Sequence, residues 1–255
     1  MEYPEEFKAM LEDPNWADKK RYIGVGNPNS KILIVGKECA IDPDTSDAGE
    51  KYKYEKTFLQ NFDDWKKNAD ANVGFDCVVP WKENCEIFDK YNPLNPFFEQ
   101  RFLPLRKLKN GEWNRGTSST WYNYQKIINL YRARKNKEYV CPDTIDFFKD
   151  CFITELSELC RPNNNDLTPD ERKNTRDSIG NRYDIICKTP YFQKQFETII
   201  LVCGGYADKL DIERMFGTAK VISNAPEYGQ PHHLRQLSYR GVTNDLLKSI
   251  ADRII

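Results

Sequence analysis

Three kinds of side chain in this sequence are suited to acid–base or nucleophilic chemistry: carboxylates, imidazoles and a thiol. Glu38 and Cys39 follow one short apolar run, Glu155 follows a second, and the only two histidines, His232 and His233, follow a fourth. Carboxylates and imidazoles are the usual general acids and bases of enzymes. A thiol becomes a nucleophile when a neighbouring imidazole takes its proton. One hypothesis is therefore a thiol hydrolase in which Cys39 attacks the substrate and His232 or His233 is the base.

Four apolar runs lie at residues 31–35, 151–154, 198–202 and 219–223. The side chains named above follow the first, second and fourth runs, and a turn at 203–207 follows the third. Such short apolar runs are typical of strands covered on both faces, as in a parallel sheet. Ligands of parallel sheets bind beyond the carboxyl ends of the strands. We therefore expect the residues that follow the four runs to share one edge of the sheet and to form one site.

Helical patterns lie between and after these runs, over residues 50–68, from a cap at Ser118 or Ser119 to Tyr131, over 179–196, and in the later part of 234–255. Pro190 must kink or split the third of these helices. The alternation of strands and helices predicts a single α/β domain over 1–255, with three αβα layers around a central four-stranded parallel sheet. Residues 42–115 form a long insertion between the first two strands.

The composition excludes several classes of protein. Lysine and arginine total 38 and aspartate and glutamate 39, so the formal charge is −1; this excludes a uniformly basic nucleic-acid coat but not a local basic face. No apolar run approaches the roughly 20 residues that span a bilayer, and the first residues lack a signal-peptide core. The eight cysteines are scattered without a CxxC spacing. We therefore expect reduced thiols in a cytoplasmic protein without a metal site.

The chain has Gly36-Lys37-Glu38 after the first run and His233-Leu234-Arg235-Gln236-Leu237-Ser238 after the fourth. At these two motifs it resembles the uracil-DNA glycosylase superfamily. The family's first motif is a glycine, one residue, then an Asp or Asn, and residues 30–41 contain Gly36-Lys37-Glu38. Its last motif is a histidine, three residues, leucine and serine, and residues 233–238 read His-Leu-Arg-Gln-Leu-Ser. Residues 152–162 and 202–207 resemble the second and third strands of the family, with the turns that follow them.

The resemblance implies a hydrolytic DNA glycosylase of DNA repair, which releases a damaged or deaminated base flipped out of single- or double-stranded DNA. Cleavage of the N-glycosidic bond develops positive charge on the sugar and negative charge on the base. Glu38 would stabilise the sugar and orient or deprotonate water. His233 would donate a hydrogen bond to the base oxygen.

The remaining matched positions imply contacts with DNA. Leu237 would fill the gap that the flipped base leaves, and Ser238 would bind phosphate. Further base- or DNA-binding candidates are Gly36, Lys37, His232, Arg235, Arg240 and the basic stretch of Arg101, Arg106, Lys107 and Lys109. The candidates for the aromatic residue that stacks on the base are Phe58, Phe62 and Phe75.

Some positions depart from the family's pattern. Glu155 stands where the family usually has an asparagine that reads the base with a donor and an acceptor. An ionised carboxylate only accepts hydrogen bonds, so Glu155 would suit a base edge with N–H groups or would have to be protonated. Cys39 replaces a proline, and only Cys160 matches a ligand of the family's iron–sulfur branch, so no cluster or other cofactor is expected. A second hypothesis is a non-catalytic module on the same fold that binds a nucleotide, nucleic acid or a partner protein.

Overall fold

Helices cover a five-stranded, mostly parallel sheet. The computed structural model describes residues 2–39, 46–75, 94–96, 100–112, 114, 116–160, 168–229, 232–238 and 241–255. The strands are β1 (Val25–Gly26), β2 (Ile32–Gly36), β3 (Cys151–Glu155), β4 (Thr198–Leu201) and β5 (Lys220–Ile222). Their order is β1-β3-β2-β4-β5, with β2 to β5 parallel and β1 antiparallel to β3. The α/β class is confirmed, and the four predicted strands are those that run parallel.

Strand β1 is an addition to the four-stranded sheet that the sequence predicts. Gly24 and Gly26 before and within it have φ angles of 148° and 95°. A Cβ atom on Gly24 would lie 2.3 Å from the carbonyl oxygen of Ile153. Only glycine allows the chain to run this close to β3. A strand of two residues is too short to show a repeating pattern, so the prediction is one strand short.

The described α-helices are α1 (Glu5–Glu12), α2 (Pro14–Ala17), α3 (Ala48–Tyr54), α4 (Asn61–Asp70), α5 (Ser119–Lys135), α6 (Pro169–Ile186), α7 (Pro190–Lys194), α8 (Ile212–Phe216) and α9 (Asn244–Arg253). A π-helical turn, Glu55–Leu59, joins α3 to α4, and 3₁₀ helices occupy Phe147–Lys149, Gly204–Lys209 and Pro226–Tyr228. Within the described part of the chain, no helix is long and apolar enough to cross a bilayer.

Local capping chemistry sets the helix boundaries. The α5 helix begins where predicted, because Ser118 Oγ accepts a hydrogen bond from the backbone N–H of Trp121 and so satisfies one of the free donors of the first turn. The α6 helix begins earlier than predicted, because Thr168 and Glu171 form a capping box. Pro190 starts a separate helix, α7, rather than kinking one long helix.

Side chains of β3 and β4 show that helices pack on both faces of the sheet. The Phe152 ring of β3 lies 5.9 Å from the Trp65 ring of α4 and 6.0 Å from the Tyr191 ring of α7. Successive residues of a strand point to opposite faces, so Cys151 and Phe152 of β3 face opposite sides of the sheet. Thr198 of β4 is in register with Cys151 and therefore lies on the face opposite to Phe152. The Thr198 hydroxyl accepts a hydrogen bond from the backbone N–H of Ile255, just beyond α9. This arrangement is compatible with the predicted three layers.

A fully buried arginine ties the end of β3 to α6. The Arg182 guanidinium lies 4.9 Å from the centroid of the Trp16 ring and donates to Thr154 Oγ1 at 2.8 Å. It also lies 3.3 Å from Glu158 Oε1, while Arg21 contacts Glu158 Oε2 at 2.6 Å. Burial lowers the pKa of Arg182, and the Glu158 carboxylate opposes that effect. Because a buried charge must be paired, this network holds the loop that follows β3.

We expect Arg182→Met to lower the free energy of unfolding by about 3 kcal/mol, because it removes one partner of a buried ion pair and leaves buried acceptors without a donor. Urea unfolding followed by circular dichroism measures this loss. Arg176→Met, at an exposed position of the same helix, is the matched control and should change stability by no more than about 0.5 kcal/mol. A similarly small change in both variants would contradict the role given to Arg182.

Candidate functional site

Two acidic residues leave neighbouring strands at the same edge of the sheet. Gly36, the last residue of β2, is in register with Glu155, the last residue of β3. The pairing continues beyond the strands, because the backbone N–H of Ser157 donates to the carbonyl oxygen of Lys37 at 2.8 Å. The carboxyl edge of the sheet therefore carries Glu38 and Glu155 side by side, as the strand pattern predicts.

The Glu155 carboxyl lies directly over Gly36. A Cβ atom on Gly36 would be 2.1 Å from Glu155 Oε2, so any other residue would collide with the carboxyl group. The Oε2 atom is buried and has no hydrogen-bond partner among the described residues. Burial raises the pKa of Glu155 to about 8, although the Arg182 charge opposes the shift. At neutral pH this carboxyl is therefore mostly protonated, with one O–H donor and one carbonyl acceptor.

Two buried tyrosines lie within electrostatic reach of Glu155. Burial raises the pKa of Tyr22 and of Tyr124 well above the ordinary value of 10, and the Glu155 charge raises both further. The two phenols therefore keep their protons at neutral pH. Together with the neutral carboxyl they make this part of the edge a group of uncharged hydrogen-bonding side chains.

The Glu38 carboxyl has a different environment, because a lysine accompanies it. Lys37 Nζ lies 2.9 Å from Glu38 Oε1, and the Glu38 side chain is 9% exposed. The same ammonium group lies 4.6 Å from the centroid of the Tyr206 ring. A neighbouring cation favours the ionised form of a carboxyl group. The edge thus places a charge-paired carboxylate next to a neutral carboxyl.

His233 reaches the same edge through the 3₁₀ helix Gly204–Lys209, which follows β4. Its Nε2 atom lies 2.6 Å from Asp208 Oδ1, and the imidazole is 17% exposed. The backbone N–H of Gly204 donates to the carbonyl oxygen of Leu234 at 3.0 Å. Tyr206 of this helix contacts Lys37. One short helix therefore touches both the first and the last predicted motif.

The Asp208 contact determines what His233 can do. A carboxylate only accepts hydrogen bonds, so Nε2 carries a proton and donates it to Asp208. In a neutral imidazole Nδ1 is then an acceptor, and it becomes a donor only when the ring is doubly protonated. Nδ1 is buried and has no hydrogen-bond partner in the described part of the chain. His233 can therefore donate to a base oxygen only as an imidazolium, through Nδ1.

Leu237 does not lie at the protein surface. Its side chain is 1% exposed and belongs to the hydrophobic core, as does Leu234 three residues earlier. Asn123 Nδ2 donates to the Leu237 carbonyl oxygen at 2.6 Å and links this segment to α5. A side chain that fills the gap left by a flipped base must project into solvent. In this conformation Leu237 cannot act as the expected wedge, because its side chain packs inwards together with that of Leu234.

The other candidates for contact with DNA are exposed, namely His232, Arg235, Ser238, Arg101, Arg106, Lys107 and Lys109. They are accessible to a charged partner, and none of them belongs to the core. Arg240 and much of the predicted insertion at 42–115 lie outside the described residues.

Among the three candidates for a stacking aromatic, Phe58 is the one linked to the site. Its ring stacks on Tyr22, with centroids 4.8 Å apart and planes at 27°, and Tyr22 interacts electrostatically with Glu155. Phe58, Phe62 and Phe75 are each at most 6% exposed. None of them presents an open ring face, so a base can reach Phe58 only by way of the aromatic residues beside it.

The thiol hypothesis rests on Cys39, which is partly buried beside Glu38 and interacts electrostatically with Tyr22 and Tyr124. Burial raises the pKa of Cys203 to about 12 and that of Cys160 higher still. Both of those thiols are therefore inert at neutral pH. The described residues contain no group of three or more His, Cys, Asp or Glu side chains that could hold a metal ion.

Sequence reasoning missed three contributors to this edge: Asp208, Tyr22 and Tyr124. Asp208 meets His233 across 25 positions of sequence, and no local pattern signals such a contact. Tyr22 lies ahead of the short strand β1, and Tyr124 lies within the predicted helix that begins at Ser118 or Ser119. Only the position of the 3₁₀ helix, directly after a predicted strand, offered a signal for Asp208.

Comparisons of the chain with family models, with curated proteins and with solved structures give no match in any of the three.

We expect Gly36→Ala to destabilise the fold by about 1–3 kcal/mol, because the new methyl group must displace the Glu155 carboxyl. Thermal unfolding measures the effect. The double variant Gly36→Ala/Glu155→Ala is the informative control, since the shorter side chain makes room for the methyl group. Its loss should be smaller than the sum of the two single losses. Strict additivity would contradict the contact between Gly36 and the carboxyl.

The folded state should lose stability as the pH rises from about 4.5 to about 8. Burial raises the pKa of Glu155 from 4.5 to about 8, so in that interval the folded protein keeps a proton that the unfolded chain has released. Each pH unit within it costs up to about 1.4 kcal/mol of unfolding free energy. Urea unfolding at pH 5, 6, 7 and 8 should show this slope in the wild type and a flatter one in Glu155→Gln. Glu138→Gln, at an exposed position, should keep the wild-type slope, and parallel profiles for wild type and Glu155→Gln would contradict the shift.

Proposed function

We propose that this protein is a hydrolase of the DNA-glycosylase type, on a fold like that of the uracil-DNA glycosylases. Its substrate is DNA in which a damaged or deaminated base is flipped out, and it hydrolyses the N-glycosidic bond of that base. The observation that carries the proposal is the pair of carboxyl groups on adjacent strand ends, one neutral and one paired with a cation. Pairs of acids held in different protonation states are typical of sites that hydrolyse glycosidic bonds.

The neutral Glu155 carboxyl supports this function through recognition of the base. The family's asparagine offers one N–H donor and one carbonyl acceptor to the edge of the base. A protonated carboxyl offers an O–H donor and a carbonyl acceptor on the same planar group. Because burial over Gly36 keeps Glu155 protonated, the change from asparagine to glutamate preserves the hydrogen-bonding pattern. The base that it suits presents an adjacent acceptor and N–H donor.

Glu38 supports the function through the charge that develops on the sugar. As the N-glycosidic bond lengthens, the sugar becomes positive, and a nearby carboxylate lowers the energy of that state. The same oxygen atoms can accept a proton from the attacking water. Lys37 Nζ forms an ion pair with Glu38 Oε1 at 2.9 Å and also contacts the Tyr206 ring.

His233 acts on the leaving base. Asp208 occupies its Nε2 atom, so Nδ1 is the ring atom that would donate a hydrogen bond to the base, where negative charge accumulates. The first and last motifs thus act on opposite partners of the same bond, Glu38 on the sugar and His233 on the base.

The second candidate is a non-catalytic module that binds a nucleotide or nucleic acid through the same edge. Burial of Leu237 favours it, because a glycosylase needs a side chain to occupy the gap in the duplex. Single-stranded DNA has no such gap, so this observation also favours single-stranded DNA as the substrate of the enzyme.

Oligonucleotides that carry uracil, hypoxanthine, xanthine or a mismatch test the proposal. We expect abasic product from at least one of them, measured by alkaline cleavage and gel electrophoresis. Glu38→Gln and His233→Ala should each lower its rate by about a hundredfold or more, whereas the exposed control Glu138→Gln should not. Retained DNA binding without base release by the wild type would instead support the binding module. Base release that survives Glu38→Gln would exclude the role given to Glu38.

A further inference from the structure

A cleft of about 290 Å³ lies beside the carboxyl edge of the sheet. One wall is the segment after α2 (Lys19, Lys20, Arg21 and Tyr22), and the other is the π-helical turn with Tyr54 before it. Glu158, from the loop after β3, completes the lining. A volume near 300 Å³ is at the lower end of small-ligand sites and suits a single nucleotide.

The π-helical turn gives one wall of the cleft an aromatic and apolar character. The rings of Tyr54 and Phe58 stack with centroids 6.1 Å apart, and Phe58 stacks in turn on Tyr22 at 4.8 Å. Tyr54 is only partly buried, and Leu59 next to it is 54% exposed. An exposed leucine beside a tyrosine ring forms a flat apolar surface, and π-helical turns occur frequently at functional sites.

The opposite wall is cationic. Lys19 is exposed and has no ion pair in the described part of the chain, while Lys20 Nζ contacts Asp63 Oδ2 at 2.7 Å near the surface. The Arg21 guanidinium forms an ion pair with Glu158 Oε2 at 2.6 Å, and the buried Arg182 guanidinium pairs with Oε1 of the same carboxylate. The acid in the lining is therefore already paired, and Lys19 adds a cationic side chain without an ion pair among the described residues at the opening of the cleft.

Tyr22 belongs both to the lining of the cleft and to the surroundings of Glu155. The Tyr22 ring stacks on Phe58 in the cleft, while its phenol interacts electrostatically with Glu155 and Cys39. Glu158, on the other side, follows Glu155 by three residues. Two lining residues, Tyr22 and Glu158, therefore place the cleft next to the end of β3.

We propose that this cleft binds the nucleotide of single-stranded DNA adjacent to the one whose base meets Glu155. The base of that neighbouring nucleotide packs against Tyr54 and Leu59, and its phosphate meets Lys19 and Lys20. Aromatic side chains beside basic ones are typical of sites that bind single-stranded nucleic acid, since every base has a face that can stack. The inference rests on the proposed function for the occupant's chemistry, but it concerns binding and not base release.

Fluorescence anisotropy with a labelled thymine 12-mer tests the inference, because this oligonucleotide contains no damaged base. We expect Lys19→Glu to weaken binding of the full chain about tenfold and to reduce the slope of affinity against salt concentration. Tyr54→Ala should also weaken binding about tenfold, through lost stacking, with little change in the salt slope. Lys220→Glu makes the same charge change at the first residue of β5, on the opposite edge of the sheet, and should bind like the wild type.

Equal binding by Lys19→Glu and Lys220→Glu would overturn the inference, as would a wild type that does not bind the 12-mer. Displacement of the 12-mer by polyglutamate at equal charge concentration would also overturn it, because the cleft would then bind any polyanion. Because Lys19 is exposed, we expect its variant to retain the fold, so the result does not depend on whether Tyr54→Ala folds correctly. Loss of the Lys19 effect and absence of base release from damaged DNA are separate readouts, so the cleft and the proposed function can fail independently.

Discussion

The arrangement at the carboxyl edge of the sheet depends on the close approach of one carboxyl group to a glycine. Parallel pairing of β2 with β3 brings Gly36 opposite Glu155, and the missing side chain at position 36 leaves the space in which the carboxyl lies. The same burial removes water from the carboxyl, and the loss of hydration favours its neutral form. Steric fit and protonation state therefore have a single cause. A pKa shifted by burial is frequent at functional sites, where the protonation state of a group must suit its chemistry.

Beneath that contact, a buried cation holds the backbone in place. Arg182 contacts Thr154 and Glu158 on either side of Glu155 and donates to the Glu155 carbonyl oxygen at 3.3 Å. Its charge opposes the rise in the pKa of Glu155, yet Glu158 neutralises much of that charge. Because each polar group of the network has its partner, the loop can present an uncharged carboxyl without leaving a charge unpaired nearby.

The sequence was sufficient for the parts of this structure that local chemistry determines. Apolar runs predicted all four parallel strands, and Ser118 marked the start of α5, because strand burial and helix capping act within a few residues. It was sufficient, too, for bringing Glu38 and Glu155 to one edge, since parallel strands end together. The contact of His233 with Asp208 and the burial of Leu237 could not be predicted from the sequence. Both depend on how the segment after β5 packs against distant elements, and no local period encodes that packing.

The short antiparallel strand β1 has a consequence for the protein outside its site. An unpaired sheet edge is a template on which another chain can add a strand and begin aggregation. Gly24 and Gly26 let β1 lie against β3 and occupy its free hydrogen-bonding side. At the other end of the described sheet, β5 is only three residues long and begins with the exposed Lys220. A brief, charged strand is a poor template, so both sides of this sheet are protected against intermolecular pairing.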